Sequence, residues 1–190
     1  MKNILKNKTD RIPTRKECEE LMAKYAMLPH IVEHSFQVMR VALAITDNLK
    51  DSVSVDRDVV IAGALLHDIT KTRSIETKER HAESGGTLLR ELGFLRIAEI
   101  VEQHVVMRDQ NLEGAPEEKE IVYYADKRVT HEKIVTLEER VRDLLERYGQ
   151  TEEIRELILQ NMQYVVDLER KLNRFMKVDI QEAVKKVEGV

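Results

Sequence analysis

Turn-forming residues are scarce in this chain, with seven glycines and three prolines among 190 residues, and aromatic side chains make up only 4%. A sandwich or barrel of short strands needs frequent turns, so the shortage argues against both and for a helical protein. Cysteine is nearly absent. Cys18 stands alone, which excludes an internal disulfide and fits a reducing compartment. Long apolar runs are missing too. The longest, VVIAGALL at 59–66, is far short of the ~20 residues of a membrane helix. The opening MKNILKNKTD is too polar for the core of a signal peptide. A cytoplasmic protein without membrane contact is expected. No long basic tract is present and the net charge is −4, so nucleic acid is not the expected partner. A small phosphorylated substrate stays open, because local cations or metal ions can overrule a mildly acidic surface.

What is abundant is charge, at 35% of residues, arranged with helical period. Thr14 followed by Glu17 is a capping-box pattern and predicts a helix over 14–25. Pro29 marks the next start, with Ile31, Val38, Val41, Ala42 and Ile45 at helical spacing. Residues 59–67 are apolar nearly all round, the pattern of a central, buried helix. The polar TKTRSIETKER reads as a loop. Further helices are predicted over 81–92, stopped at Gly93 in the left-handed region, and over 95–106, 121–130, 134–148 and 152–176. Residues 1–13 are expected to be loosely ordered. The fold class is all-α. An N-terminal segment and short helix cover 1–29, a helical domain with the site covers 30–131, and a C-terminal helical pair within 132–190 packs on the same domain. In the last helix Leu157, Val165, Leu168, Leu172 and Phe175 form a stripe expected to pack on the 134–148 helix, with a homodimer face as the alternative.

One stretch conflicts with a simple core. ALLHDITK at 64–71 places His67 and Asp68 at the end of the most apolar helix. A buried carboxylate is costly unless it is paired or bound to metal. Other metal-capable residues recur along the chain: His34 in VEHSFQV, His81 in RHAESGG, His104 in EQHVV and Asp126 in YYADKRV. A divalent ion wants N and O donors converging from different elements, and these four histidines and two aspartates lie on five predicted helices. Taken singly, each has a plain structural reading: a core imidazole, a wet helix end at His104, an Asp126 paired with Lys127 or Arg128. No short-range ligand spacing such as H-E-x-x-H decides between the two.

The ordered set H…HD…H…H…D resembles the HD superfamily of metal-dependent phosphohydrolases. The matching residues are His34, the pair His67–Asp68 and Asp126, over 30 to about 130. His81 and His104 resemble the branch that holds two metals, which includes bacterial dinucleoside tetraphosphate hydrolases and the HD-GYP cyclic dinucleotide phosphodiesterases. No GYP signature follows the HD pair, which argues against cyclic dinucleotides. The resemblance implies an HD-domain-like helical bundle with one or two divalent ions (Fe, Mn, Co, Zn or Mg). His34, His67, Asp68 and Asp126 would hold one, and His81 and His104 the other, with Asp68 bridging. It implies hydrolysis of a phosphoester or phosphoanhydride bond in a nucleotide or similar small phosphate by a metal-activated hydroxide. Asp68 and Lys71 would be the catalytic pair.

Lys71, four residues past His67, shares a helix face with it if the helix continues, and would reach a phosphate oxygen. Its plain alternative is a solvated lysine paired with Asp68 or Glu76. Lys127 and Arg128 flank the last ligand, and one of them would bind phosphate, with Arg better suited to a bidentate contact. His30 is a candidate substrate contact or general acid, or a frayed helix start. His131 reads as a rim or surface residue. Two other functions remain beside the hydrolase. One is a metal- or ligand-sensing module without turnover. The other is a di-iron oxygenase on a related scaffold.

Overall fold

A computed structural model describes residues 10–187; the expected looseness of 1–13 therefore falls largely outside the described residues. The elements run α1 (Arg15–Lys24), α2 (Pro29–Thr46), α3 (Arg57–Leu66), α4 (Lys71–Thr77), α5 (His81–Leu92), α6 (Leu95–Gln103), α7 (Glu118–Lys127), β1 (Val129–Thr130), β2 (Lys133–Ile134), α8 (Leu137–Tyr148), α9 (Glu152–Phe175) and α10 (Ile180–Lys185). The class is all-α, with one two-stranded hairpin among the described residues.

Local signals start the helices. The Thr14 and Glu17 capping box closes α1, Pro29 occupies the first turn of α2, and the Asp56 carboxylate accepts from the amides of Asp58 and Val59 at the start of α3. Thr136 with Glu139 forms the same box on α8. α3 is the centre of the bundle. Seven of its ten residues are buried, and α1, α2, α6 and α7 all pack against it. Gly93 adopts φ 89° after α5, which lets the chain reverse into α6 without a Cβ clash. α5 and α6 then lie close together, since a Cβ on Gly85 would come within 2.8 Å of Val101 Cγ1.

Four expectations need correction. The segment expected as a loop after the HD pair contains α4, which buries none of its residues and so shows no apolar stripe in the sequence. α6 stops at Gln103 rather than 106, because the Gln103 side-chain oxygen accepts from the amides of Arg108 and Asp109 and turns the chain. α7 ends at Lys127, and the β-branched Val129 and Thr130 pair antiparallel with Ile134 and Lys133 around a turn that holds His131 at φ 56°. α10, capped by Asp179, follows the helix expected to be last.

α8 and α9 pack as a pair, and α9 also packs on α7. Val165, Leu168 and Leu172 are buried along α9, whereas Leu157 is exposed. The contact with α7 is partly ionic. Lys171 donates to both Glu120 oxygens at 2.7 and 2.6 Å, a pair out of contact with solvent, and to the Asn111 carbonyl at 2.7 Å.

Candidate metal centre

The core ends where the chemistry begins. α3 runs its apolar face to Leu66, and the next two residues, His67 and Asp68, remain buried. Around them come His34 from the first half of α2, His81 from the first position of α5, His104 from the C-cap of α6 and Asp126 from the last turn of α7. The six residues expected from the sequence therefore meet at one point.

Three of the imidazoles are oriented by the backbone. Nδ1 of His34 lies 2.7 Å from the His131 carbonyl, Nδ1 of His67 lies 2.7 Å from the Ala64 carbonyl, and Nδ1 of His104 lies 2.6 Å from the Val101 carbonyl. A carbonyl only accepts, so each Nδ1 carries a proton, and each Nε2 faces inward as the atom that an ion would take. This second hydrogen bond is the usual support of a metal-binding histidine.

Asp68 sits between two groups of donors. Its Oδ2 lies 3.5 Å from His67 Nε2, and its Oδ1 lies 3.3 Å from His81 Nε2 and 3.4 Å from His104 Nε2. His34, His67 and Asp68 form one group able to hold an ion, and Asp68, His81 and His104 form a second, with the donor atoms in each within 4.8 Å of one another. Asp126 borders the first group: its Oδ1 is 3.1 Å from His34 Nε2 and 3.6 Å from His67 Nε2.

The residues fit a cation. His67 Nε2 and Asp68 Oδ1 are buried with no hydrogen-bond partner, a costly state for a protein interior unless an ion completes them. His81 Nε2 and His104 Nε2 stand only 3.1 Å apart, close enough for one ion to take both. Burial, above all, lowers His104 to about 4, which keeps its imidazole neutral. Burial would raise the Asp68 carboxyl, but the charges of His67 and Lys71 outweigh it and hold the group well below the usual range. Asp126 behaves alike, with burial opposed chiefly by Lys127 and by the hydrogen bond to His34.

The expected substrate contacts divide. Lys71 is not on the helix of His67, because α3 ends at Leu66 and Lys71 opens α4. Its ammonium still reaches the site and donates to Asp68 Oδ2 at 2.8 Å. It also lines a cavity of about 200 Å³ beside the cluster, together with His30 and His131. His30 is inside α2 and not frayed. Lys127 is buried as a clip between helices, donating to Asp126 Oδ2 and to the His104 carbonyl, each at 2.7 Å. Arg128 turns away from the cluster. Its Nε donates to the Val135 carbonyl and a terminal nitrogen to the Tyr124 hydroxyl, both at 2.8 Å. The expected phosphate contact at Arg128 is therefore not formed, because the hairpin carbonyl and a core tyrosine hold its guanidinium.

Sequence reasoning missed two things. One is the His131 carbonyl, since a backbone acceptor leaves no trace in residue type. The other is α8, whose Arg140, Arg147 and Tyr148 line the same cavity. Arginines seven apart on an amphipathic helix were a readable signal of a shared face.

Comparison with known proteins agrees with this geometry. Residues 31–131 match the HD domain family, just over half of the chain, and the chain belongs to that family. It is 31% identical over 143 residues to a tRNA (cytidine(56)-2'-O)-methyltransferase of Picrophilus torridus, covering 67% of this chain and 40% of that protein. A protein of the same name from Thermoplasma volcanium is 35% identical over 95 residues, 50% of this chain and 26% of that protein. A dihydroneopterin 2',3'-cyclic phosphate phosphodiesterase of Methanocaldococcus jannaschii is 45% identical over 51 residues, 26% of this chain and 20% of that protein. The chain thus spans well under half the length of these relatives. No solved structure matches it. Among the described residues no helix is long and apolar enough to cross a membrane.

Proposed function

We propose that the chain is a metal-dependent phosphohydrolase that cleaves a phosphoester or phosphoanhydride bond in a small, nucleotide-like phosphate. The observation that carries this is the inward convergence of four Nε2 atoms and the carboxylates of Asp68 and Asp126, with three of the imidazoles held by carbonyls behind them. Two divalent ions are proposed, one in each group, with Asp68 shared. Divalent ions in such a site supply Lewis-acid activation of water and neutralise charge on phosphate. A set this rich in imidazole favours a transition metal over magnesium. The chain's own residues do the rest. The carbonyls of His131, Ala64 and Val101 fix the imidazole tautomers, Lys127 ties Asp126 to the end of α6, and Lys71 places a cation where a phosphate oxygen enters from the cavity.

HD-family membership supports hydrolysis, and the Methanocaldococcus jannaschii relative makes a cyclic phosphodiester the first substrate to try. The methyltransferase relatives share less than half their length with this chain, so no methyl transfer is proposed. The test is metal analysis of the purified protein together with product release from a panel of nucleoside monophosphates, 2',3'-cyclic phosphates and dinucleoside polyphosphates. Two ions per chain and hydrolysis of a panel member are expected. Bound metal with no turnover would make the protein a binding module, and iron with oxygen consumption would make it an oxygenase.

A further inference from the structure

The cavity beside the cluster has a wall that the family match does not reach. α8 lies beyond residue 131, yet it contributes Arg140, Arg147 and Tyr148 to the lining. We propose that α8 is the substrate-selecting wall: Arg140 and Arg147 bind the phosphate of a mononucleotide-sized substrate, and Tyr148 with Ile75 of α4 holds its planar ring. This rests on the hydrolase reading and names the substrate class for the same site.

Charge is the first argument. Lys71, Arg140 and Arg147 all line the cavity. The nearby acid of α8 is Asp143, which is divided between the two arginines: Arg147 Nε meets its Oδ1 at 2.7 Å and an Arg140 terminal nitrogen meets its Oδ2 at 3.2 Å. One carboxylate thus orients two guanidiniums, and Asp68, which also lines the cavity, pairs with Lys71, so three cationic side chains face two carboxylates. Arg140 Nε is buried without any hydrogen-bond partner, a donor that a bound anion would satisfy. Arg147 also donates to His131 Nε2 at 2.8 Å, so the hairpin and α8 are braced against each other at the mouth.

Apolar surface is the second argument. Tyr148 is 56% exposed and Ile75 is 51% exposed, and both line this cavity from different helices. An exposed aromatic beside cations is the arrangement that binds the face of a base and its phosphate together. Size is the third. About 200 Å³ is below the ~300–1,000 Å³ of sites for drug-sized ligands. That space suits one ring and one phosphate and disfavours a dinucleoside polyphosphate.

The test measures binding of AMP, adenosine and inorganic phosphate to the full chain by calorimetry, with and without manganese. The wild type should bind AMP more tightly than either fragment. Arg147→Ala should weaken AMP and phosphate by about tenfold. Tyr148→Ala should weaken AMP by about tenfold and leave inorganic phosphate unchanged. Arg140→Lys, which keeps the charge and loses the Nε donor, should weaken both phosphate ligands. Manganese content should be unaltered in all three, and the exposed control Arg170→Ala should bind as the wild type does. Absence of AMP binding by the wild type, or Arg147→Ala and Tyr148→Ala within twofold of it, would overturn the assignment even if the protein takes up metal and hydrolyses phosphoesters. AMP binding that depends on Arg147 and Tyr148 without metal uptake or turnover would uphold the wall and overturn the hydrolase.

Discussion

Replacing Asp68 with Asn probes the site at its hinge. Asp68 is the one residue common to both donor groups, and its two oxygens face different imidazoles, Oδ2 toward His67 and Oδ1 toward His81 and His104. The amide keeps the shape and removes the negative charge, so each group loses its shared anion at once. Two measurable magnitudes follow. Free metal at a hundred times its Kd stabilises a folded protein by about 2.7 kcal/mol, which for a chain of this size raises Tm by about 5–10 °C. The wild type should show at least that shift with manganese, and Asp68→Asn should show almost none. Loss of one preorganised electrostatic contact costs about 10²–10³ in kcat, and the substitution removes one at each ion, so hydrolysis should fall by at least ~10³-fold. The contrast is His104→Ala, which belongs to the second group alone and should retain one ion per chain. Metal content by mass spectrometry, melting curves and product release read all three. Two ions and near-normal activity in Asp68→Asn would refute the shared-carboxylate geometry.

Further outcomes follow from other contacts. Lys71→Met removes the ammonium that donates to Asp68 Oδ2 at 2.8 Å and lines the cavity; metal content should hold while KM rises or kcat falls, and loss of metal instead would make Lys71 a support of Asp68 rather than a substrate contact. Lys171→Met strands the buried Glu120 carboxylate and should destabilise the protein by about 3–5 kcal/mol in urea melts, whereas the double change Lys171→Met with Glu120→Leu should recover much of that. In metal-free protein His104 takes up its proton at about 4 when folded and at 6.5 when unfolded. The unfolded chain therefore binds the extra proton between those values, so this residue's stabilisation is complete above pH 6.5 and is lost as pH falls toward 4, by about 3 kcal/mol. His104→Gln should flatten that part of the pH–stability curve relative to the wild type, and an unchanged slope would show that His104 titrates normally.

The HD pair was legible because donors at a buried helix end are conspicuous: His67 and Asp68 follow eight apolar or small residues, and a core tolerates such a pair only with compensation. The other four donors each had a plain structural reading, and only the family resemblance drew them together. The capping box at Thr14 and the left-handed stop at Gly93 are equally local, and they place α1 and the end of α5 within a residue; the box at Thr136 is just as local, yet the apolar stripe from Ile134 starts α8 three residues early. What escaped is what has no local period. α4 buries nothing, the hairpin strands are two residues each, and α10 has six residues; none is long enough to show a face. Arg128 looked like a phosphate ligand because it is an arginine two residues past Asp126. Its direction is set by Val135 and Tyr124, contacts made only after the hairpin closes.

The hairpin also shows why a family boundary is not a functional one. The match to the HD family ends at residue 131, and His131 is where the two parts of the protein are joined chemically. Its carbonyl fixes the tautomer of His34 on the metal side, while its ring accepts from Arg147 on the cavity side. The residue holds a positive φ of 56°, a conformation that a non-glycine side chain adopts only when its surroundings impose it. The donors of the cluster hang on α3 and the helices packed around it, which the apolar pattern dictates. The cavity wall hangs on α8, which follows the hairpin and supplies none of the six donors, although Arg147 couples it to them through His131. On the proposed reading, chains with the same six donors and a different helix in this place would keep the cluster and select a different phosphate, which makes residues 140–148 rather than the HD pair the place to look for substrate preference.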